Sequence, residues 1–376
     1  MITVSLCMIV KDEEHVLGRC LASVHDLVDE IIIVDTGSSD RTKEIAATYT
    51  NRIFDFPWRD DFAAARNFSF EQATMDYIMW LDADDVLYEK DRGKFAGLKQ
   101  ALSWEPDAII CDYHLAFDMA GHATTISRRY RLVKRSQGYR WHNPIHEYLD
   151  VTGGKALDTD IAVSHHREGD HSARNMRIMQ QWMERGGKLE GRNLYFYANE
   201  LLDQRRYQEA AECYETYFRE PTGYREDRIA ACGKLAECYH HLGRKEKKLD
   251  SLFKAFHYDV PHADSCCTIA GCFEERGEWA LAIYWYSRAL ESRQAEGYMG
   301  VVNVAYQTWL PHVQLCLCFA KLGHLREAYE HNEHALSYLP GEANLLENKR
   351  RLALALGIAP SPAAAEDPNV DPPAGP

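Results

Sequence analysis

Residues 77–87 read Tyr-Ile-Met-Trp-Leu-Asp-Ala-Asp-Asp-Val-Leu, an apolar run that stops abruptly in carboxylates. A continuous apolar run of this length fits a strand buried on both faces. Asp82 and Asp84 stand two residues apart, so on an extended chain they project to the same side, close enough to share one divalent cation. Oxygen ligands at a strand end suit Mg²⁺ or Mn²⁺, above all where substrate phosphates complete the shell. Asp84 and Asp85 also suit a turn and a helix cap, and the motif alone leaves both readings open.

Working towards the N-terminus, short β-branched runs alternate with helical patterns. Strands are predicted over 3–10, 30–34, 53–56 and 77–81. Between them Val16, Leu17, Cys20, Leu21 and Val24 share one helical face, and helices are predicted over 40–49 and 62–73. Such alternation implies an α/β sheet wound on both faces, with its binding crevice beyond the carboxyl ends of the strands. Three polar clusters fall at those ends, at 11–14, 35–40 and 82–85. Asp35 sits at the tip of the second strand, ahead of a small-residue turn, where an acid can accept hydrogen bonds from a ribose or base.

From about residue 170 the strand signals vanish and helical periodicity runs to 357. In the ~34-residue helix-turn-helix repeat, small residues let paired helices approach and aromatics fill the gap between hairpins. Ala270, Phe273, Gly277, Ala282, Tyr286 and Ala289 fit that pattern, as do Cys316, Phe319, Gly323, Ala328, Ala335 and Pro340. Weaker units carry Ala198 and Ala210, then Ala236, Tyr239, Gly243 and Ala255. These units resemble tetratricopeptide repeats, and a helix over 343–356 would cap the stack. The Pro/Ala-rich segment from 358 to 376 is expected to be disordered.

Four N-terminal segments taken together resemble the family-2 glycosyltransferases, which share the GT-A nucleotide-sugar fold. They are SLCMIVKDEE (5–14), IIIVDTGSSDRT (31–42), AAARN (63–67) and WLDADD (80–85). The resemblance implies that Asp35 holds the uracil or ribose end of a nucleotide, that Arg66 and Glu13 help bind it, and that Asp82 faces the ribose or donor sugar. It also implies that Asp84 binds the metal on the diphosphate. Lys11-Asp12 departs from the family, in which an Asn commonly precedes the acids.

Inverting transfer needs a base for the acceptor. In GYRWHNPIHEYL (138–149) the His-Glu pair resembles the family's acceptor-side motif, which makes Glu147 the candidate base and His146 a residue that could orient it or contact donor or acceptor. Trp141 offers a platform for a sugar ring, although Trp is more often core. His165 and His166 end a later strand, and His165 resembles the family's further metal contact. Arg128, Arg129 and Arg131 offer positive charge, at least two of them more readily explained by solvent exposure or ion pairing.

The whole-chain figures agree with this picture. At 376 residues two domains are expected, and 46% hydrophobic residues supply real cores. The balance 43 − 57 = −14 argues against a general nucleic-acid binder, which neutralises phosphates with Lys and Arg. No run approaches the ~18 apolar residues of a membrane span. The N-terminal run lacks a basic region and a cleavage site and reads as a strand, not a signal peptide. Eleven Cys without metal spacing read as reduced core residues, so the cytoplasm is the expected compartment.

The expected organisation is an α/β GT-A (Rossmann-like) domain over 1–168, a linking helix over 169–190, helical repeats with a cap over 191–357, and a tail. The expected activity is metal-dependent inverting transfer from a nucleotide-diphosphate sugar, a UDP-sugar first, with Mn²⁺ or Mg²⁺. Because a solenoid holds extended polypeptide well, a peptide or protein acceptor is expected, and the arrangement resembles bacterial peptide S-glycosyltransferases of the sublancin type. The alternatives are a glycan acceptor in cell-surface polysaccharide synthesis, a haloacid-dehalogenase-like phosphatase using Asp82, and a non-catalytic peptide-binding adaptor. A homodimer stays open.

Overall fold

The computed structural model describes residues 2–102, 105–166, 172–221, 223–293 and 297–358. The expectation of a disordered tail falls, beyond Ile358, outside the described residues. The chain divides into two compact units, one of residues 1–260 with 294–304, the other of 261–293 with 305–376.

The first unit opens with β1 (Val4–Val10), α1 (Leu17–Ala22), β2 (Glu30–Asp35), α2 (Thr42–Ala47), β3 (Ile53–Asp55), α3 (Phe62–Glu71) and β4 (Tyr77–Trp80). These are the elements expected from the sequence, trimmed by a few residues at their ends. Strands β3, β2, β1 and β4 lie side by side and parallel. Their apolar runs are continuous because alternate residues feed two cores. Leu6, Met8, Ile31, Ile33, Tyr77 and Met79 pack with α1 on one face. Cys7, Ile32, Val34, Ile78 and Trp80 pack with Ala63 and Phe70 of α3 on the other.

Beyond β4 the sheet changes character. It continues through β5 (Asp85–Val86), α4 (Glu89–Ala101), β6 (Ala108–Phe117), β7 (Ala123–Lys134), the short pair β8 (Trp141–His142) and β9 (Tyr148–Leu149), and β10 (Ala156–His165). Strand β7 runs antiparallel to both β4 and β6, which makes the sheet mixed. The long β6–β7 hairpin is not legible as such in the sequence, because its outer half carries Asp112, His114, Arg128 and Arg129 where an apolar run would mark a buried strand. Strand β10 lies parallel to β6 and ends against β5, with Ser164 opposite Val86 and His165 opposite Asp85.

The unit continues with α5 (Ser172–Glu184), α6 (Gly191–Asp203), α7 (Tyr207–Tyr217), α8 (Arg225–His241) and α9 (Lys245–Lys254). Residues 302–303 return to the sheet as β11 (Val302–Asn303), paired with β7. The second unit holds α10 (Ala263–Glu274), α11 (Trp279–Glu291), α12 (Trp309–Lys321), α13 (Leu325–Tyr338) and α14 (Ala343–Leu356). The small residues picked out by their spacing, among them Ala198, Ala210, Ala270, Ala282, Ala289, Ala328 and Ala335, are all buried between paired helices. Gly277 and Gly323 close their turns at φ of 72° and 81°, a conformation that strains any residue with a Cβ. All eleven cysteines are free and ten are buried. Burial pushes Cys238 up to about 12 and Cys111 up to about 11, so they act as small apolar residues.

Candidate functional site

A cavity of about 470 Å³ opens at the carboxyl ends of β1, β2, β4 and β10. Its wall comes from Lys11 and Glu13 after β1, Thr36 after β2, Phe62 and Arg66 of α3, and Asp82 and Asp84 after β4. His146 and Glu147 enter from the loop between β8 and β9, and His165 from the end of β10. The fold therefore gathers seven of the eight site residues expected from the sequence into one crevice. The eighth, Asp35, is buried behind it, with its carboxylate accepting hydrogen bonds from the Gly37 and Ser38 N–H groups at 3.1 and 3.0 Å.

A second hollow, of about 460 Å³, surrounds Glu30, Arg52 and Asp29 at the other end of β2. There Glu30 is paired with Arg52 and Asp29 with Lys99, so its charges are already neutralised by neighbours.

Arg66 is the hub of the crevice. The alternation that sends Trp80 to the α3 face sends Asp82 there too, and Asp61 starts α3 by accepting from the Ala64 N–H at 2.9 Å. Arg66 Nη2 then donates to Asp82 Oδ1 and its Nε to Glu147 Oε1, both at 2.7 Å. The guanidinium lies over the Trp80 and Trp141 rings, 5.1 and 4.9 Å from their centres. Burial works to lower the Arg66 pKa, but the two carboxylates outweigh it and raise it. Burial likewise works to raise Asp82, and the charges of Arg66 and Arg131 prevail and hold it below the usual carboxylate range.

Beside this bridge lies a cluster with ligand atoms of Asp84, Asp85 and His165 within 4.8 Å of one another. His165 Nδ1 lies 3.3 Å from Asp84 Oδ1 and 3.2 Å from Asp85 Oδ1. Asp85 is fully buried and multiply engaged: Tyr113 Oη donates to it at 3.0 Å, the Asp82 N–H at 3.0 Å, and Arg131 pairs with it at 3.2 Å. Asp84 and His165 face the cavity, whereas Asp85 anchors His165 from behind. Burial opposes a charge on His165, yet the hydrogen bonds and charges of Asp84 and Asp85 raise it to about 10. A carboxylate and an imidazole facing the cavity, with a buried carboxylate orienting the ring, is a donor set that fits a divalent cation.

Other sequence readings are refined. Trp141 is core, edge-on to Trp80 at 4.9 Å, so the cavity's aromatic wall is Trp58 and Phe62 instead. Arg128 is paired with Asp112 and Asp158, and Arg131 with Asp85. Asp12 adopts φ of 55° and accepts from the Ser39 N–H at 2.7 Å, tying the first two strand-end turns together. His166 turns away to Tyr88, 2.8 Å from its hydroxyl. Sequence reasoning missed Asp85 as a partner of His165. It expected α5 only as a linking helix and missed that it adds Arg174, Asn175 and Arg177 to the wall, because nothing in a helical periodicity says which strand ends it will cover.

Residues 5–162 match Glycosyl transferase family 2. The SPbeta prophage-derived glycosyltransferase SunS of Bacillus subtilis is 30% identical over 221 residues, which cover 53% of this chain and 49% of that protein. The TPR repeat-containing protein Synpcc7942_0270 of Synechococcus elongatus is 42% identical over 150 residues, 40% of this chain and 36% of that protein. The chain thus spans half or less of the length of these curated relatives. Among solved structures, YrrB, titled a TPR protein with an unusual peptide-binding site, is similar at a TM-score of 0.38 and 16% identity over 48% of this chain and 85% of that one. The N-terminal α/β domain is a family-2 glycosyltransferase domain, and a tetratricopeptide-like helical region follows it.

Proposed function

We propose that the chain transfers a sugar, with inversion, from a nucleotide-diphosphate sugar, a UDP-sugar first, to a peptide or protein acceptor. One observation carries the reading: within a family-2 domain, a single cavity joins the Asp82–Arg66–Glu147 bridge to the Asp84–His165 pair. In this reading Glu147 takes the proton from the acceptor nucleophile as that atom attacks the anomeric carbon. Arg66 holds Oε1 of Glu147, so Oε2 is the oxygen that receives the proton. Asp82, fixed by the same guanidinium, faces the ribose or donor sugar. Glu13 and the turn braced by Asp35 bound the nucleoside end.

Asp84 and His165 would hold Mn²⁺ or Mg²⁺, with Asp85 behind them. The cation would neutralise charge on the departing diphosphate. Lys11 adds positive charge on the protein side. The helical region and the resemblance of the arrangement to bacterial peptide S-glycosyltransferases support a polypeptide acceptor, with cysteine S-glycosylation as its most specific form.

The test incubates the full chain with a panel of nucleotide sugars, Mn²⁺, and cysteine- or serine-containing peptides or oligosaccharides, read by mass. A peptide gaining one glycosyl mass is expected, with no product once the cation is chelated. Transfer to oligosaccharides and never to peptides would overturn the acceptor; phosphomonoester hydrolysis without nucleotide preference would overturn the reaction.

A further inference from the structure

The loop that carries His146 and Glu147 is unusual in its backbone. Asn143 and His146 both lie at positive φ, 72° and 51°, which side chains with a Cβ adopt only when surroundings over-determine them. What determines His146 comes from α6. Its imidazole lies flat on Phe196, ring centres 4.3 Å apart and planes 9° from parallel. Its Nε2 is 2.8 Å from Oε1 of Glu200, one turn further along the same helix. Glu200 is almost wholly buried, and the same oxygen accepts from Asn175 Nδ2 at 3.0 Å. With Glu200 ionised, Oε1 can only accept, so the proton of the second contact belongs to His146 Nε2. Glu200 Oε2 is buried with no hydrogen-bond partner among the described residues.

We infer that Glu200 of α6 is a positioning residue that locks the His146 imidazole in one tautomer and one orientation at the cavity, and through the strained backbone fixes the adjoining Glu147. The first helix of the array is on this view a structural part of the transfer site. The geometric part stands by itself; the catalytic part rests on the glycosyl-transfer reading.

Two measurements on the full chain keep these apart. Histidine side-chain ¹⁵N spectra, with His146 assigned by loss of its signal in His146→Gln, report the tautomer without turnover. Wild type and Glu200→Gln are expected to hold a single Nε2–H form, and Glu200→Ala to average between tautomers. An averaged signal in wild type, or no change in Glu200→Ala, would overturn the inference. UDP release from UDP-glucose with Mn²⁺ reports the consequence. Glu200→Ala is expected to lower kcat at least about tenfold with KM within about threefold, and Glu200→Gln to recover to within about threefold of wild type. A loss confined to KM, or equal losses in both variants, would overturn it. Absence of nucleotide release by wild type from every nucleotide sugar tried, with peptide and oligosaccharide acceptors present, would instead overturn glycosyl transfer, and the spectra would then decide on Glu200 alone.

Discussion

Arg66 shows how much one side chain is asked to do. It is buried and serves two carboxylates from sequence positions 16 and 81 residues away. Replacing it by Ala leaves two partly buried anions without their cation, a loss on the order of 3–5 kcal/mol when a buried pair is broken. Arg66→Ala is therefore expected to lower the denaturant midpoint as well as abolish transfer. Arg66→Lys keeps the charge but lacks the planar fork that reaches both partners, so stability is expected to recover more than turnover does. Urea melts and UDP release from the same preparations check this, and full turnover in the Lys variant would refute the bridging role. Asp82 and Asp84 were legible as candidates because they form a short local pattern with chemistry of its own, whereas Glu147 and His165 were picked out only through the family resemblance; the fold brings all four to one cavity. Asp85 was not, since a carboxylate after Asp-x-Asp reads equally well as a turn, and only β10 pairing with β5 shows that it faces an imidazole. Glu200 was invisible for a plainer reason: an acid inside an amphipathic helix looks solvated until packing buries it.

At the scale of elements, hairpins were read well because small residues at fixed spacing mark close helix contacts, and strands β1 to β4 because their apolar runs are unbroken. The β6–β7 hairpin was not, because its two faces meet different surroundings along its length. The α12–α13 hairpin carries a pH-dependent feature. His312 Nδ1 lies 2.9 Å from His331 Nδ1, and the His334 ring is 4.8 Å from that of His312. Burial and the charges of His331 and His334 lower His312 to about 4; His331 is lowered by burial and by His334, with Glu330 acting the other way. A histidine whose folded pKa is depressed favours unfolding once protons are taken up. The neutral cluster's contribution is complete above the ordinary value near 6.5 and is lost as pH falls towards 4. Amide exchange in α12 and α13 is expected to accelerate from pH 6.5 to 4 beyond the intrinsic rate, and His312→Asn to flatten that dependence. Protection that does not fall over this range would refute it.

For the whole molecule, the division into two compact units predicts how ligand energy is distributed. The cavity lies within the first unit. On the proposed reading UDP with Mn²⁺ would bind the native form of that unit and not its unfolded chain, and is then expected to add about 2.7 kcal/mol at a hundredfold excess over Kd. Exchange protection should rise in β1, β4 and β10 and stay unchanged in α10 to α14. Asp84→Asn is expected to remove the Mn²⁺-dependent part of this protection. A uniform rise across both units, or protection that persists in the variant, would show that the ligand does not act through this cavity.

The pairing of β10 with β5 carries a final consequence. His165 meets Asp85 across a chain separation of 80 residues, held by a ladder of two residue pairs. A chain emerging from the ribosome exposes its Asp82–Asp85 carboxylates long before the imidazole that completes the set exists. Until residue 165 has cleared the exit tunnel and the last strand has docked, a nascent domain has only half of the cluster proposed to hold the cation. If transfer runs as proposed, activity is tied to completed synthesis of the α/β domain, and a chain interrupted before its final strand is expected to be inert towards a donor sugar, however well its first four strands had folded.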